Sequence, residues 1–196
     1  MQRTIGSLAP LGRLLAAECQ DASRSEISGG PQNESKELAA TFRKLGARDP
    51  EDWARSQVEE GIPQLARFLF LRQAWRQIVQ EDDSSWIDAS IGRAASHPDE
   101  PYAGVGHALG TLRARGATNE ELTDVVRGMQ AQLLSSICYL LENPGDLEPE
   151  AGDVGWVLAQ VDQEGNVLDT IGGLDESVLE TDPTGREMRP RVADAI

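Results

Sequence analysis

The chain has 196 residues, a formal net charge of −15, 39% hydrophobic and 26% charged residues, enough apolar surface for one domain with a small appendage. The sign of the charge speaks against nucleic acid and anionic membranes as partners, because phosphate surfaces repel such a field. No apolar run approaches the ~20 residues a membrane-crossing helix needs.

Cys19 and Cys138 are the only cysteines. Two thiols so far apart read as free cysteines in a reducing compartment. The N-terminal stretch has Pro10, Arg13 and Glu18 where a signal peptide wants an unbroken apolar core, so a cytoplasmic location is expected. The charge is uneven: residues 1–33 are neutral overall, 34–142 carry −5, 143–182 hold 11 acids and no base, and 183–196 carry +1.

In chain order, residues 1–33 mix Gly, Ser, Pro and Gln around one short apolar patch and read as a weakly ordered segment. Regular patterning starts at Glu34, with Leu38, Phe42 and Leu45 at helical spacing and Gly46 as a C-terminal cap. Asp49 then precedes Pro50, with Glu51 and Asp52 in the first turn, an arrangement that starts a second helix ending at Gly61. Residues 62–80 are the most apolar stretch. Leu65, Phe68, Leu71, Trp75, Ile78 and Val79 share one broad face there, which predicts a central helix.

Ser84 is placed to start a fourth helix with Trp86, Ile87 and Ile91 facing in. Residues 102–116 form a fifth, with Val105, Leu109 and Leu112 on one face. Thr118 and Glu121 make a capping box that launches the longest helix, 119–142. Its expected core face holds Leu122, Val125, Val126, Met129, Leu133, Ile137, Leu140 and Leu141, and Asn143-Pro144-Gly145 stops it.

After residue 143 an acidic linker leads to β-forming runs at 154–161 and 167–171 around a turn, then a helical turn at 173–180. The expected fold is mainly α: an antiparallel bundle of about six helices (34–143), with a C-terminal β-hairpin, turn and tail (144–196) packed on it.

No catalytic or metal-binding pattern emerges, and none calls for a cofactor. His97 and His107 lack the paired short spacing of zinc ligands. The glycines of 104–110 lack the preceding strand of a dinucleotide fingerprint, and Gly106 and Gly110 read better as a close approach between helices. Cys138 falls on an apolar helix face, where thiols are inert.

Two features remain. Trp156, on a hairpin strand, is placed either to dock the bundle or to anchor a partner. Asp182-Pro183-Thr184-Gly185 has the composition of a type I turn, and it folds Arg186, Arg189 and Arg191 back toward the acids before them. Those arginines with Asp175, Glu176, Glu180 and Asp182 form a candidate binding site or an electrostatic clasp for the appendage.

The reading that follows is a non-enzymatic, acidic interaction protein that binds a basic partner. Immunity or inhibitor proteins facing a cationic toxin or nuclease share such a composition. Two alternatives are a small-molecule or enzymatic α-bundle with a pocket between 62–80 and 119–142, and a homodimer paired through the hairpin.

Overall fold

A computed structural model describes residues 30–144 and 154–191 of the chain; of the segment 1–33 expected to be weakly ordered, residues 1–29 lie outside them and Pro31–Asn33 are helical, and most of the acidic linker also lies outside. Helix α1 (Pro31–Leu45) begins three residues before the expected Glu34, because Pro31 at its first position supplies a helical φ where no amide is needed. Gly46 closes it in the left-handed region at φ 89, and the Ala47 amide reaches back to the Phe42 carbonyl at 3.0 Å. Helix α2 (Pro50–Glu60) follows from Asp49 and Pro50 as expected. The two helices close on one aromatic cluster: Phe42 and Trp53 each pack edge-on to Phe68 of α3, with ring centroids 5.6 and 5.5 Å apart.

Helix α3 (Gln64–Trp75) is shorter than the apolar run suggests and stops before Ile78 and Val79. Side chains satisfy the backbone groups that leave the helix. Gln80 donates to the Ile78 carbonyl at 2.7 Å, Gln130 accepts the Val79 amide at 2.9 Å, and Arg127 donates to the Val79 carbonyl at 2.9 Å. The helix is central all the same. Phe68 belongs to the cluster with α1 and α2, while Leu71, Trp75 and the following Ile78 belong to a second core with Ala131, Cys138, Leu174 and Val178.

Helices α4 (Ser85–Ser96) and α5 (Ala103–Ala114) form a hairpin. It meets the next helix, α6 (Asn119–Glu142), through a small third core of Ile87, Leu109 and Leu122. The expected capping box is present: the Glu121 amide donates to Thr118 Oγ1 at 3.1 Å and the Thr118 amide to Glu121 at 2.8 Å.

The face that α6 buries is only partly the expected one: Leu122 is buried and Leu141 packs against the core, but most of the expected residues are not inside. Leu122, Thr123, Arg127, Ala131 and Cys138 face inward, whereas Val125, Met129, Leu133, Ile137 and Leu140 are exposed. On α5, likewise, only Leu109 of the expected trio is buried. An apolar stripe at helical spacing marks a face that avoids water, and α6 has two such faces.

Strands β1 (Ala159–Val161) and β2 (Val167–Thr170) form an antiparallel two-stranded sheet, shorter than the expected runs and with a bulge between Gln160 and Val161. Asp162 builds its turn, accepting the Asn166 amide and side chain at 2.8 Å each. A short helix, α7 (Leu174–Ser177), then docks Leu174 against α6 and α3. The fold is therefore mainly helical with a small C-terminal sheet, and its core is three linked clusters rather than one bundle interior.

Gly106 and Gly110 differ in a way that tests this packing. A Cβ on Gly106 would collide with the Ser90 carbonyl and sit 2.6 Å from the Ala94 Cβ, while one on Gly110 would meet nothing nearer than 3.9 Å. Gly106→Ala should destabilise the protein by about 1–3 kcal/mol in urea unfolding. Gly110→Ala should be neutral or stabilising by up to ~1 kcal/mol. Equal effects would mean that α4 and α5 do not approach at Gly106.

Candidate functional site

The chain after α7 turns back across the bundle, and its polar groups converge on α6. Arg127 projects from the buried side of α6, and its Nη2 lies 2.7 Å from Asp182 Oδ1, with the two side chains 1% and 0% exposed. The guanidinium also lies 5.1 Å from the centre of the Trp75 ring, a distance at which the ring face attracts a cation. Trp75 in turn donates its indole N–H to the Val178 carbonyl at 2.9 Å.

Asp182 accepts more than the guanidinium. The Thr184 amide and hydroxyl reach it at 3.1 and 2.8 Å, and the Met188 amide at 3.1 Å. Burial alone would raise its pKa, but these donors and Arg127 outweigh it and hold the carboxyl below its ordinary value. The Gly185 amide closes the expected turn onto the Asp182 carbonyl at 2.9 Å. Glu187 and Met188 then adopt left-handed backbone at φ 53 and 57, a conformation that disfavours side chains by about 1 kcal/mol or more each. The Met188 amide bond to Asp182 is what this geometry achieves.

The arginines of the tail reach the bundle rather than the appendage. Arg186 pairs with Glu81 at 2.5 Å, and Arg191 with Glu81 at 3.3 Å, Glu120 at 2.9 Å and Asp124 at 2.7 Å. Among the described residues Arg189 pairs only with its neighbour Glu187, and its side chain is 75% exposed. Arg48, from the α1–α2 connection, donates to the Glu180 and Gly185 carbonyls at 2.5 and 3.0 Å. The expected neutralisation of residues 143–182 by these arginines therefore takes another form, in which the tail is tied to Glu81 and α6. Surface pairs of this kind contribute little singly; the buried pair at Arg127 fixes the segment's position.

The other candidate residues lie nearby. Asp175 and Glu176 open α7, and Asp175 is hydrogen-bonded to Glu142, whose pKa is raised by burial and by that neighbour. Glu180 is exposed, and its pKa is raised by desolvation and by Asp49. Trp156 docks on the bundle through its indole N–H, which meets the Leu140 carbonyl at 3.0 Å, with 38% of the residue exposed. Burial pushes the Cys138 thiol up to about 11, with Glu142 and Asp175 adding to the effect.

Two clefts flank Glu180. One, of about 150 Å³, is lined by Gln64, Arg67 and Ser177, and the other, of about 270 Å³, by Arg48, Arg72 and Pro183. Both fall below the ~300–1,000 Å³ of typical small-molecule sites. The space between α3 and α6, where a pocket was expected under the enzymatic alternative, is filled by Leu71, Trp75, Ala131 and Cys138. No family model, curated protein or solved structure matches the chain.

Arg127 is the residue that sequence reasoning missed. Its signal was present: it is the only charged residue between Val125 and Leu141, and a lone charge in such a run needs a buried partner.

Asp182→Asn should destabilise the fold by about 3–5 kcal/mol at neutral pH, since Arg127 is left buried beside an uncharged group. The depressed pKa sets the pH dependence. The contribution of Asp182 is complete above its unfolded value of ~3.9 and is lost as pH falls through the lower folded value. The gap between wild type and variant in urea unfolding should therefore narrow below about pH 4. A variant as stable as wild type at neutral pH would contradict the assignment.

Proposed function

We propose that this is a non-enzymatic protein-binding protein whose C-terminal hairpin docks a basic partner, in the manner of an immunity or inhibitor protein holding a cationic toxin or nuclease. The observation that carries this reading is charge left without a counterion. Asp162, Glu164 and Asp169 of the hairpin have no ion pair among the described residues, whereas Arg186 and Arg191 are committed to Glu81, Glu120 and Asp124. A cationic protein supplies the charge this surface lacks, and the attraction also speeds its approach.

The hairpin adds apolar contact to the charge. Val161, Val167 and Leu168 are 53%, 68% and 59% exposed on a sheet of only two strands. Such a sheet is marginal alone, and both of its edges have backbone groups for a partner strand to pair with.

Carbodiimide cross-linking of the full chain in lysate of its host tests the proposal, because the reagent joins partner lysines to these carboxylates. The cross-links should map to residues 162–169 and involve a protein of net positive charge. Glu164→Lys with Asp169→Lys should reduce them about tenfold or more, as should added salt. Acidic partners, or identical capture by the double variant, would refute the proposal.

A further inference from the structure

Of the two hairpin strands, β2 stands clearer of the bundle. Val167, Leu168, Asp169 and Thr170 are all exposed, whereas Ala159 and Gln160 of β1 are half-buried. Leu158 and Ile171, just outside the strands, pack on the core between α3 and α6. The hairpin is therefore rooted at that end and projects at the other.

The ladder decides which backbone groups the outer edge of β2 offers. The Ile171 amide donates to the Leu158 carbonyl at 2.7 Å, and the Asp162 amide to the Asn166 carbonyl at 3.0 Å. The pairs next to these bonds, Ala159 with Thr170 and Val161 with Val167, are then of the kind that turns its backbone groups away from the partner strand. On β2 those groups belong to Val167 and Thr170, and no third strand meets them among the described residues. One of them is closed locally: the Thr170 amide donates to the carboxylate of its own neighbour, Asp169, at 2.7 Å. A charge on the edge, a bulge and a short strand all keep an open edge from pairing indiscriminately.

We propose that the outer edge of β2 is a strand-addition site for an extended basic segment, one with lysine or arginine on one face and apolar side chains on the other, and that Asp169 gates it. This rests on the reading of the hairpin given above and specifies how the partner is held. A cation of the incoming strand draws the Asp169 carboxylate away, and a carbonyl of that strand takes the freed Thr170 amide. The outward groups of Val167 continue the pairing, while Val167 and Leu168, 68% and 59% exposed, receive the apolar side chains.

Charge selects the occupant. Asp162, Glu164 and Asp169 lie on or beside the strand, with no ion pair among the described residues. A second copy of the hairpin would set the same acids against them. Residues 1–29 hold three bases and three acids, so they bring no net positive charge either. A basic strand does, and alternation gathers its cations on one face.

The probes are three eight-residue peptides, in which lysine alternates with valine, glutamate with valine, or lysine with proline, added to the isotope-labelled full chain. The lysine–valine peptide should slow solvent exchange of the Val167 and Thr170 amides about tenfold or more. The lysine–proline peptide has the same charge but cannot pair as a strand. It should bind about tenfold more weakly and leave both amides unprotected, and the glutamate–valine peptide should not bind. Asp169→Ala should speed Thr170 exchange in the free chain and weaken lysine–valine binding about tenfold.

Equal binding of the two lysine peptides, with both amides unprotected, overturns strand addition and leaves contact by charge alone. The cross-links to residues 162–169 would persist in that case, whereas their loss would overturn the hairpin reading itself. Equal binding of the glutamate–valine peptide overturns the gate. A Val167 amide already slow to exchange without peptide means that this chain or a second copy covers the edge, which also overturns the proposal.

Discussion

Arg127 and Asp182 face each other at 2.7 Å with both side chains out of solvent, and each needs the other. An unpaired guanidinium or carboxylate in that position would cost several kcal/mol. Within the pair, Asp182 takes three further donors from Thr184 and Met188, and Arg127 gives its other terminal nitrogen to the Val79 carbonyl. One contact thereby joins three places: the end of α3, the middle of α6 and the C-terminal turn. The left-handed backbone at Glu187 and Met188 is tolerated because it completes this shell.

The distribution of charge over the surface follows from that anchor. With Asp182 fixed beneath α6, Arg186 and Arg191 emerge on the side of Glu81, Glu120 and Asp124, and pair there. The hairpin carboxylates Asp162, Glu164 and Asp169 form no ion pair with these arginines or any other among the described residues. Two exposed surfaces thus have opposite chemistry: an acidic hairpin, and an apolar, uncharged face on α6.

Local chemistry was legible in the sequence where neighbours along the chain decide the outcome. Thr118 with Glu121, Pro50 after Asp49, Gly46 after Leu45, and the Asp182–Gly185 turn all form because the interacting groups lie within a few residues. The length of α3 was not legible, since its end depends on Gln130 and Arg127 from a helix some fifty residues away. Nor was the buried face of α6, because its apolar residues cover two faces and periodicity cannot say which meets the core. Composition announced that the tail arginines would find acids. Which acids they found depended on the position of Asp182, a tertiary fact.

Amide hydrogen exchange at Thr184 and Met188, with the Trp75 indole proton followed alongside, tests the anchor most directly. If the buried pair holds the C-terminal segment as part of the core, these protons exchange only on global unfolding and their protection equals that of α6. Exchange at the rate of an exposed loop, while α6 stays protected, would contradict the account: the segment would then open independently of the helix it is said to clasp.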